Sequence, residues 1–194
     1  LIKSQTQFAQ YVSDVGWVGN LKRLKPGEGY KIQMANADTL TYPYIMSGQS
    51  AKKLDKEVVY PEAPWDTVMW RNYKNSMNVT AIIDDKIVKE INSPEDVVVA
   101  ISSGEIRGFA RPEFIEGIDS YRLFMTVFSN SSSGEIIELK FWDADRDIIY
   151  SSNENLSFTN NDMIGDAVEP WLIKLKPLTK WDRGFVPDTY VLDQ

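Results

Sequence analysis

YRLFMTVFSNSSSGEIIELKFW, residues 121–142, contains two apolar segments separated by a polar, glycine-containing stretch. The segments 121–128 and 136–142 are rich in aromatic and β-branched residues, which favour strands. Residues 130–134 between them, Asn-Ser-Ser-Ser-Gly, are typical of turns because these residue types tolerate the backbone angles that a turn requires. The stretch therefore predicts two strands joined by a turn.

The same pattern of a short apolar run followed by turn residues repeats on both sides of this stretch. The additional strand predictions are 76–83, 97–102, 106–110, 148–150, 155–158 and 171–175. Several short strands at this spacing favour a sandwich or barrel over alternating strand–helix units. We therefore expect residues 75–176 to form an antiparallel β-sandwich.

The beginning of the chain shows a different pattern. Phe8, Tyr11 and Val12 recur at helical spacing within residues 4–12, and Ser4 is a suitable N-cap, so this segment predicts a helix. Residues 30–34 and 39–43 predict a hairpin. Trp17 and Tyr30 are expected in the core of this unit, since such rings are highly buried on average.

The complete prediction is a mostly β chain: a small helix-plus-hairpin unit packed on an antiparallel β-sandwich. Its divisions are a small α+β unit at 1–47, a linker and interface segment at 48–74, the β-sandwich domain at 75–176 and a tail at 177–194.

Composition limits the chemistry that the chain can perform. It has no Cys and no His, which excludes thiolate nucleophiles, disulfides, imidazole bases and His-ligated or Cys-ligated metals. A net charge of −7 argues against nucleic acid as a partner, and so does the longest basic stretch, 22–25, which has only three basic residues. No apolar run is long enough for a membrane span. Carboxylate chemistry remains, either an Asp/Glu pair of the glycosidase type or calcium held by oxygen ligands alone.

Asp143, Asp145 and Asp147 form the candidate metal site. Alternate carboxylates on a loop can converge on Ca²⁺, which takes six to eight oxygen ligands. Arg146 reduces the charge of the loop, and the segment lacks the glycine and the bidentate Glu of an EF-hand. The alternative is a hairpin turn whose acids are solvated, since Asp favours turns.

Tyr60, Trp65, Trp70 and Tyr73 form the candidate ligand site. They crowd the segment between the two predicted domains, and exposed planar rings suit the apolar faces of sugars. The alternative is that these rings bury the interface between the domains.

Two further features each allow a functional and a structural interpretation. Glu105 and Arg107 are two residues apart, so in a strand they share one face and could form a polar patch, or they simply follow a tight turn. Many acids, among them Glu113, Glu116 and Asp119, could supply a hydrolytic pair, but nothing in the sequence selects two of them.

Two sets of motifs resemble a module found in secreted proteins of the Bacteroidetes–Ignavibacteria–Calditrichaeota group. The motifs are residues 4–11, 16–21 and 24–30 for the first set, and 75–77, 104–110, 121–127, 134–136, 140–144 and 162–165 for the second. In these proteins the module commonly precedes a sorting domain that the type IX secretion system reads. Residues 190–194 resemble the lead-in to that domain, which would then lie beyond the tail. Ile106 stands where the pattern usually has Cys, and the resemblance implies no catalytic residue.

Taken together, these features predict a non-catalytic extracellular or cell-surface module of a larger secreted protein. Its expected partners are a polysaccharide or another cell-surface component, together with the neighbouring domains of that protein. The first alternative is a structural spacer or protein-docking domain without a small ligand. The second is a small carboxylate-based glycoside hydrolase, although no Gly-x-Ser-x-Gly nucleophile motif is present.

Overall fold

The computed structural model describes residues 1–37, 39, 63–65, 67–84 and 93–176. Within these residues strands dominate, which confirms the mostly β prediction. The predicted strand 39–43 lies outside the described residues except for Thr39, and so do Tyr60 and the tail 177–194. Among the helices of the described part, none is long and apolar enough to cross a bilayer.

The N-terminal unit is a four-stranded antiparallel sheet, and the predicted helix over residues 4–12 is wrong. Its strands are β1 (Ile2–Lys3), β2 (Phe8–Val12), β3 (Gly16–Gly19) and β4 (Lys31–Ile32), in the order β3-β2-β1-β4. Because β4 covers only two residues, the predicted strand 30–34 is shorter than expected.

The error over residues 4–12 arises because Phe8 and Val12 are four residues apart. That spacing places two side chains on one face of a helix and also on one face of a strand. In a strand, Phe8, Gln10 and Val12 share one face, and all three are buried, whereas Tyr11 points to solvent. Ser4 still accepts a hydrogen bond from the Gln7 N–H at its hydroxyl oxygen, 3.1 Å away, as an N-cap would. Here that bond closes a turn instead of starting a helix, because Ser side chains form the same contact in both.

Two five-stranded sheets make up the rest of the described chain. The first sheet contains β5 (Asn75–Ile83), β8 (Pro112–Ile115), β9 (Ser120–Ser129), β13 (Met163–Ile164) and β14 (Trp171–Ile173). The second contains β6 (Val97–Ser102), β7 (Glu105–Ala110), β10 (Ser133–Asp143), β11 (Ile148–Ser151) and β12 (Leu156–Thr159). All eight strands predicted between residues 76 and 175 have counterparts here, and all except β6 differ from the prediction at one end or both.

The first sheet is not purely antiparallel, contrary to prediction. Both β13 and β14 pair with β5 in parallel, at Asn78–Val79 and at Ala81–Ile83 of that strand. The chain reaches β13 from β12 of the other sheet and then runs on to β14 in the same direction. Parallel neighbours require such a crossover, whereas a hairpin produces antiparallel ones.

The two sheets face each other across one apolar core. Alternate side chains of β5 and β9 turn inward and meet those of β6 and β10, and Phe141 and Phe158 are almost completely buried among them. The core residues of β5 and β9 are Met77, Val79, Ala81, Ile83, Leu123, Met125 and Val127. Two-residue alternation with one buried face is the pattern of packed sheets.

The N-terminal sheet forms a third layer on the outer face of the first sheet. Phe8 packs edge-on against Phe124 of β9 with 5.8 Å between ring centroids. The Asn20 amide bridges the layers, since it donates to the Phe124 carbonyl at 3.0 Å and accepts from the Phe8 N–H at 2.9 Å. The Thr126 hydroxyl donates to the Thr6 carbonyl at 3.2 Å, so main-chain groups of both layers are fixed to each other.

The strands β7 and β8 form a corner where the chain passes from the second sheet to the first. Gly108 lies so close to β9 that an added Cβ would be 2.4 Å from the Thr126 carbonyl oxygen. Only glycine permits that approach, because any side chain there would overlap the backbone of β9. The corner brings residues 109–114 beside the N-terminal layer.

Candidate functional site

A cavity lies at the junction of the N-terminal layer, the segment before β5 and the β7–β8 corner. It has a volume of about 880 Å³, within the range of ligand-binding clefts. Six aromatic residues contribute to its wall: Trp70, Phe109, Phe114, Tyr121, Phe124 and Phe128. Phe114 and Tyr121 contact each other edge to face at 5.2 Å, and Phe114 is about half exposed.

A second cavity of about 470 Å³ adjoins the first. Both are lined by Trp70 and Phe128, so the two cavities are contiguous at these rings, and together we call them the groove. The wall of the second cavity is polar, with three lysines and four amide side chains: Lys3, Lys31, Lys74, Gln5, Asn75, Asn160 and Asn161. The groove therefore has an aromatic end and a basic end.

The structure brings together two of the four predicted aromatic residues. Trp70 lines both cavities and Tyr73 lines the smaller one. Trp65 lines neither and packs partly buried against Ala63, Val97 and Trp142, none of which belongs to the N-terminal unit. None of the three described rings is fully buried.

Trp70 is held in place by a short 3-10 helix, Trp70–Asn72. The Asn130 side chain anchors this turn, because it donates to the Asn72 carbonyl at 3.1 Å and accepts from the Lys74 N–H at 3.2 Å. The Arg71 guanidinium lies 4.4 Å from the Trp70 ring centroid, within cation–π range. These contacts orient the indole before any ligand arrives.

Tyr73 is fixed by a charged cluster behind the groove. Its ring is stacked on Phe128 and lies 4.7 Å from the Arg107 guanidinium. Arg107 is 2.8 Å from the Glu135 carboxylate and 3.5 Å from that of Glu105, so the predicted neighbours Glu105 and Arg107 do meet. Because Arg107 is paired with carboxylates of the protein itself, this cluster supports the Tyr73 ring in the wall of the groove.

Two pKa values in that cluster are shifted. Burial raises the pKa of the Tyr73 hydroxyl, and its hydrogen bond to the Glu105 carboxylate acts in the same direction. Burial alone would raise the pKa of Glu135, but hydrogen bonds from Ser129 and Ser102 and the charge of Arg107 outweigh it and hold that pKa below its ordinary value. Glu135 is thus kept ionised and paired.

The predicted metal loop is closed by its own hydrogen bonds. The Asp143 carboxylate accepts the Arg146 N–H at 3.1 Å and lies 3.4 Å from the Arg146 guanidinium. Asp147 accepts the Trp142 indole N–H at 3.0 Å, while Asp145 is exposed. Within the part of the chain that the structure describes, no three carboxylates are arranged to hold a metal ion. These contacts are those of a hairpin turn, the alternative to a calcium loop.

Asp96 is a buried carboxylate that sequence reasoning missed. It accepts the Ala144 N–H at 3.0 Å and so ties β6 to the acidic turn. Burial, together with the charges of Asp143, Asp145 and Glu95, raises its pKa to about 6. In the sequence, the one indication of a buried acid is that Asp96 directly precedes the apolar run 97–102. A turn residue would occupy the same position, so the sequence does not distinguish the two.

Trp17 lies on the surface, so the expectation that it belongs to the core is wrong. It is 55% exposed and faces Tyr11, which is 63% exposed, across the β2–β3 hairpin with 5.6 Å between ring centroids. Tyr30 is half-buried and its hydroxyl closes a turn by accepting the Lys25 N–H and donating to Glu28. Trp17 and Tyr11 lie on the solvent-facing side of the N-terminal sheet. The expectation for Trp17 was based on the high average burial of Trp, and that average does not apply to this outer face.

Comparison of the chain with known protein families, with curated proteins and with solved structures found no match. The resemblance to the secreted bacterial module therefore stays a prediction.

Proposed function

We propose that this chain is a non-catalytic carbohydrate-binding module that holds one polysaccharide chain along the groove. The observation that carries the proposal is the position of Trp70, a partly exposed indole shared by two contiguous cavities. A sugar chain lying across that ring would occupy both cavities at once.

The chemistry of the wall supports a sugar ligand. Aromatic rings provide flat apolar surfaces against which the C–H faces of sugar rings can stack. The amides and hydroxyls of the smaller cavity, among them Asn75, Asn160 and Ser76, suit the hydroxyl groups of a sugar. Because Asn130 and Arg71 already orient Trp70, little conformational entropy is lost on binding.

The distribution of acids supports binding rather than hydrolysis. Among the described residues that line the groove, Glu113 is the only carboxylate, and it is paired with Lys22 at 2.5 Å. Glycoside hydrolysis ordinarily uses two carboxylates facing each other across the scissile bond. The groove would therefore bind a polysaccharide on behalf of a catalytic or adhesive neighbour.

The resemblance described above supports an extracellular or cell-surface setting. In that setting the module would serve the neighbouring domains of a larger secreted protein by keeping them on their polysaccharide.

Affinity electrophoresis and pull-down against a panel of soluble and insoluble polysaccharides test the proposal, with Trp70→Ala as the diagnostic variant. We expect retention on at least one polysaccharide and a loss of at least about tenfold in affinity for W70A, since aromatic contacts dominate such sites. Trp17→Ala is the matched control, because this exposed indole lines neither cavity. Failure of the whole panel, or equal losses for both variants, would refute the proposal.

A protein-docking role is the second candidate, and the Tyr11–Trp17 pair favours it. Exposed aromatic pairs are typical of protein contact surfaces. This role predicts that W17A, and not W70A, abolishes attachment to the neighbouring domains.

A further inference from the structure

The smaller cavity concentrates positive charge in an acidic protein. The chain has 28 Asp and Glu against 21 Lys and Arg, so an average surface cavity should be lined by more acids than bases. This cavity is lined by three lysines, and no Asp or Glu is among the described residues of its wall. The described wall of this cavity therefore has the opposite sign to the net charge of the chain.

Lys3 and Lys31 are placed directly opposite each other by the pairing of β1 with β4. Side chains at such positions are about 5 Å apart at Cβ, and like charges there destabilise the pair. Within the described part of the chain, their hydrogen-bond partners are neutral: Lys3 donates to the Ser76 hydroxyl at 3.4 Å and Lys31 to the Asn161 side-chain oxygen at 3.0 Å. Neither ammonium is neutralised by a carboxylate among the described residues.

The pKa of Lys3 is shifted in the direction expected for a cation without a nearby anion. Burial lowers the pKa of its ammonium group, and the neighbouring charge of Lys31 lowers it further. Lys74, which also lines the cavity, adds a third cation that is exposed to solvent. A bound anion would relieve this repulsion, because an opposite charge within a few ångströms favours the charged form of each lysine.

We infer that the smaller cavity binds the carboxylate or sulfate groups of an acidic polysaccharide, with Lys31 and Lys74 as the exposed contacts and Lys3 behind them. This inference rests on the proposed function and specifies its ligand class. The sugar ring that bears the anion would lie against Trp70, the partly exposed ring that lines both cavities.

A polysaccharide fits better than a nucleic acid, the other common polyanion. The basic area is confined to three lysines, no arginine is among the described residues of its wall, and the net charge of −7 repels a long polyphosphate. Acidic polysaccharides carry fewer charges per unit length than nucleic acids. Their sugar rings also have apolar C–H faces that can stack on the aromatic residues of the groove.

The test uses two polymers with the same backbone, polygalacturonate and its fully methyl-esterified form, with dextran sulfate and dextran as a second pair. Titrations are run at low and high salt on the wild type and on Lys31→Gln/Lys74→Gln. We expect at least one acidic polymer to bind at least about tenfold more tightly than its neutral partner, and K31Q/K74Q to lose most of that difference. Affinity should fall with added salt, since exposed charges are screened.

Lys174→Gln/Lys176→Gln is the control, because it makes the same change in net charge at exposed lysines that line neither cavity. Thermal unfolding of both double variants checks that the fold is retained. We expect K174Q/K176Q to bind within about twofold of the wild type, because screening leaves distant charges little influence.

Each outcome separates this inference from the proposed function. Equal binding of the acidic and neutral polymers, weakened by W70A but not by K31Q/K74Q, would overturn the anion site and keep the sugar groove. Acid binding that depends on Lys31 and Lys74 but not on Trp70 would support the anion site and contradict the proposed groove. Tighter binding of an oligo-dT strand than of any acidic glycan would overturn the polysaccharide assignment, and no binding of any polymer would overturn both proposals.

Discussion

The acidic turn at residues 143–147 and the lysine-lined cavity are both local concentrations of one charge, but among the described residues only the turn contains an opposite charge, that of Arg146. Asp143 and Asp147 accept hydrogen bonds from Arg146 and Trp142 within or beside the turn. Lys3 and Lys31 contact neutral oxygens, and no described carboxylate lines their cavity. The comparison teaches that a run of like charges in the sequence does not reveal whether an opposite charge lies beside it in the fold, and the anion site is proposed where the described residues supply none.

The largest effect is expected where an internal charge pair is broken. Arg107→Met should lower the free energy of unfolding by about 3–5 kcal/mol, because it leaves the partly buried Glu135 without its cation. Lys22→Met removes one partner of the exposed pair with Glu113 and should cost less than about 1 kcal/mol. Urea unfolding of both variants measures the difference. Similar losses would mean that internal pairing is not what stabilises the Arg107 cluster.

The next effect concerns Asp96, which sits beside the acidic turn with a pKa of about 6. The folded state binds this proton more tightly than the unfolded state, whose pKa is near 3.8, so its contribution to stability is lost as pH rises from about 4 to about 6. Asp96→Asn keeps an oxygen to accept the Ala144 N–H and removes the charge. We expect it to stabilise the protein at pH 7 by up to about 3 kcal/mol and to flatten the pH dependence.

Urea unfolding between pH 4 and pH 7.5 measures this change, with Glu95→Gln as the control at an exposed neighbouring acid. The control should change stability by no more than about 0.5 kcal/mol, as surface substitutions usually do. A variant D96N that is less stable than the wild type at pH 7 would contradict the expectation, because Asp96 would then be ionised and favourably paired.

Most strands of residues 75–176 could be predicted from the sequence because each is an apolar run that is followed by turn residues. The strand β8 could not, since Pro112 and Glu113 interrupt the apolar pattern, and β13 covers only two residues. At the N terminus the spacing of Phe8 and Val12 allowed both helix and strand. Pairing with β3 decided between them, and that pairing is a tertiary event.

The candidate site was only partly predictable for a similar reason. Trp70 and Tyr73 belong to a local cluster of aromatic residues, which the sequence displays directly. The basic end of the groove joins Lys3, Lys31 and Lys74, which are far apart in the chain and meet only through the β1–β4 pairing and the neighbouring start of β5. No local pattern encodes such a set, and a net charge of −7 points away from it.

The smallest effect is expected from calcium. Because Asp143 and Asp147 already have donors of their own, we expect the midpoint of thermal unfolding to differ by less than about 1 °C between millimolar calcium and chelator. A site saturated a hundredfold above its dissociation constant would instead add about 2.7 kcal/mol. A rise in the midpoint that chelator reverses and Asp145→Asn abolishes would establish calcium at the turn. The acidic turn and the lysine cavity would then both be ligand sites, and the contrast between them would be one of ligand charge alone.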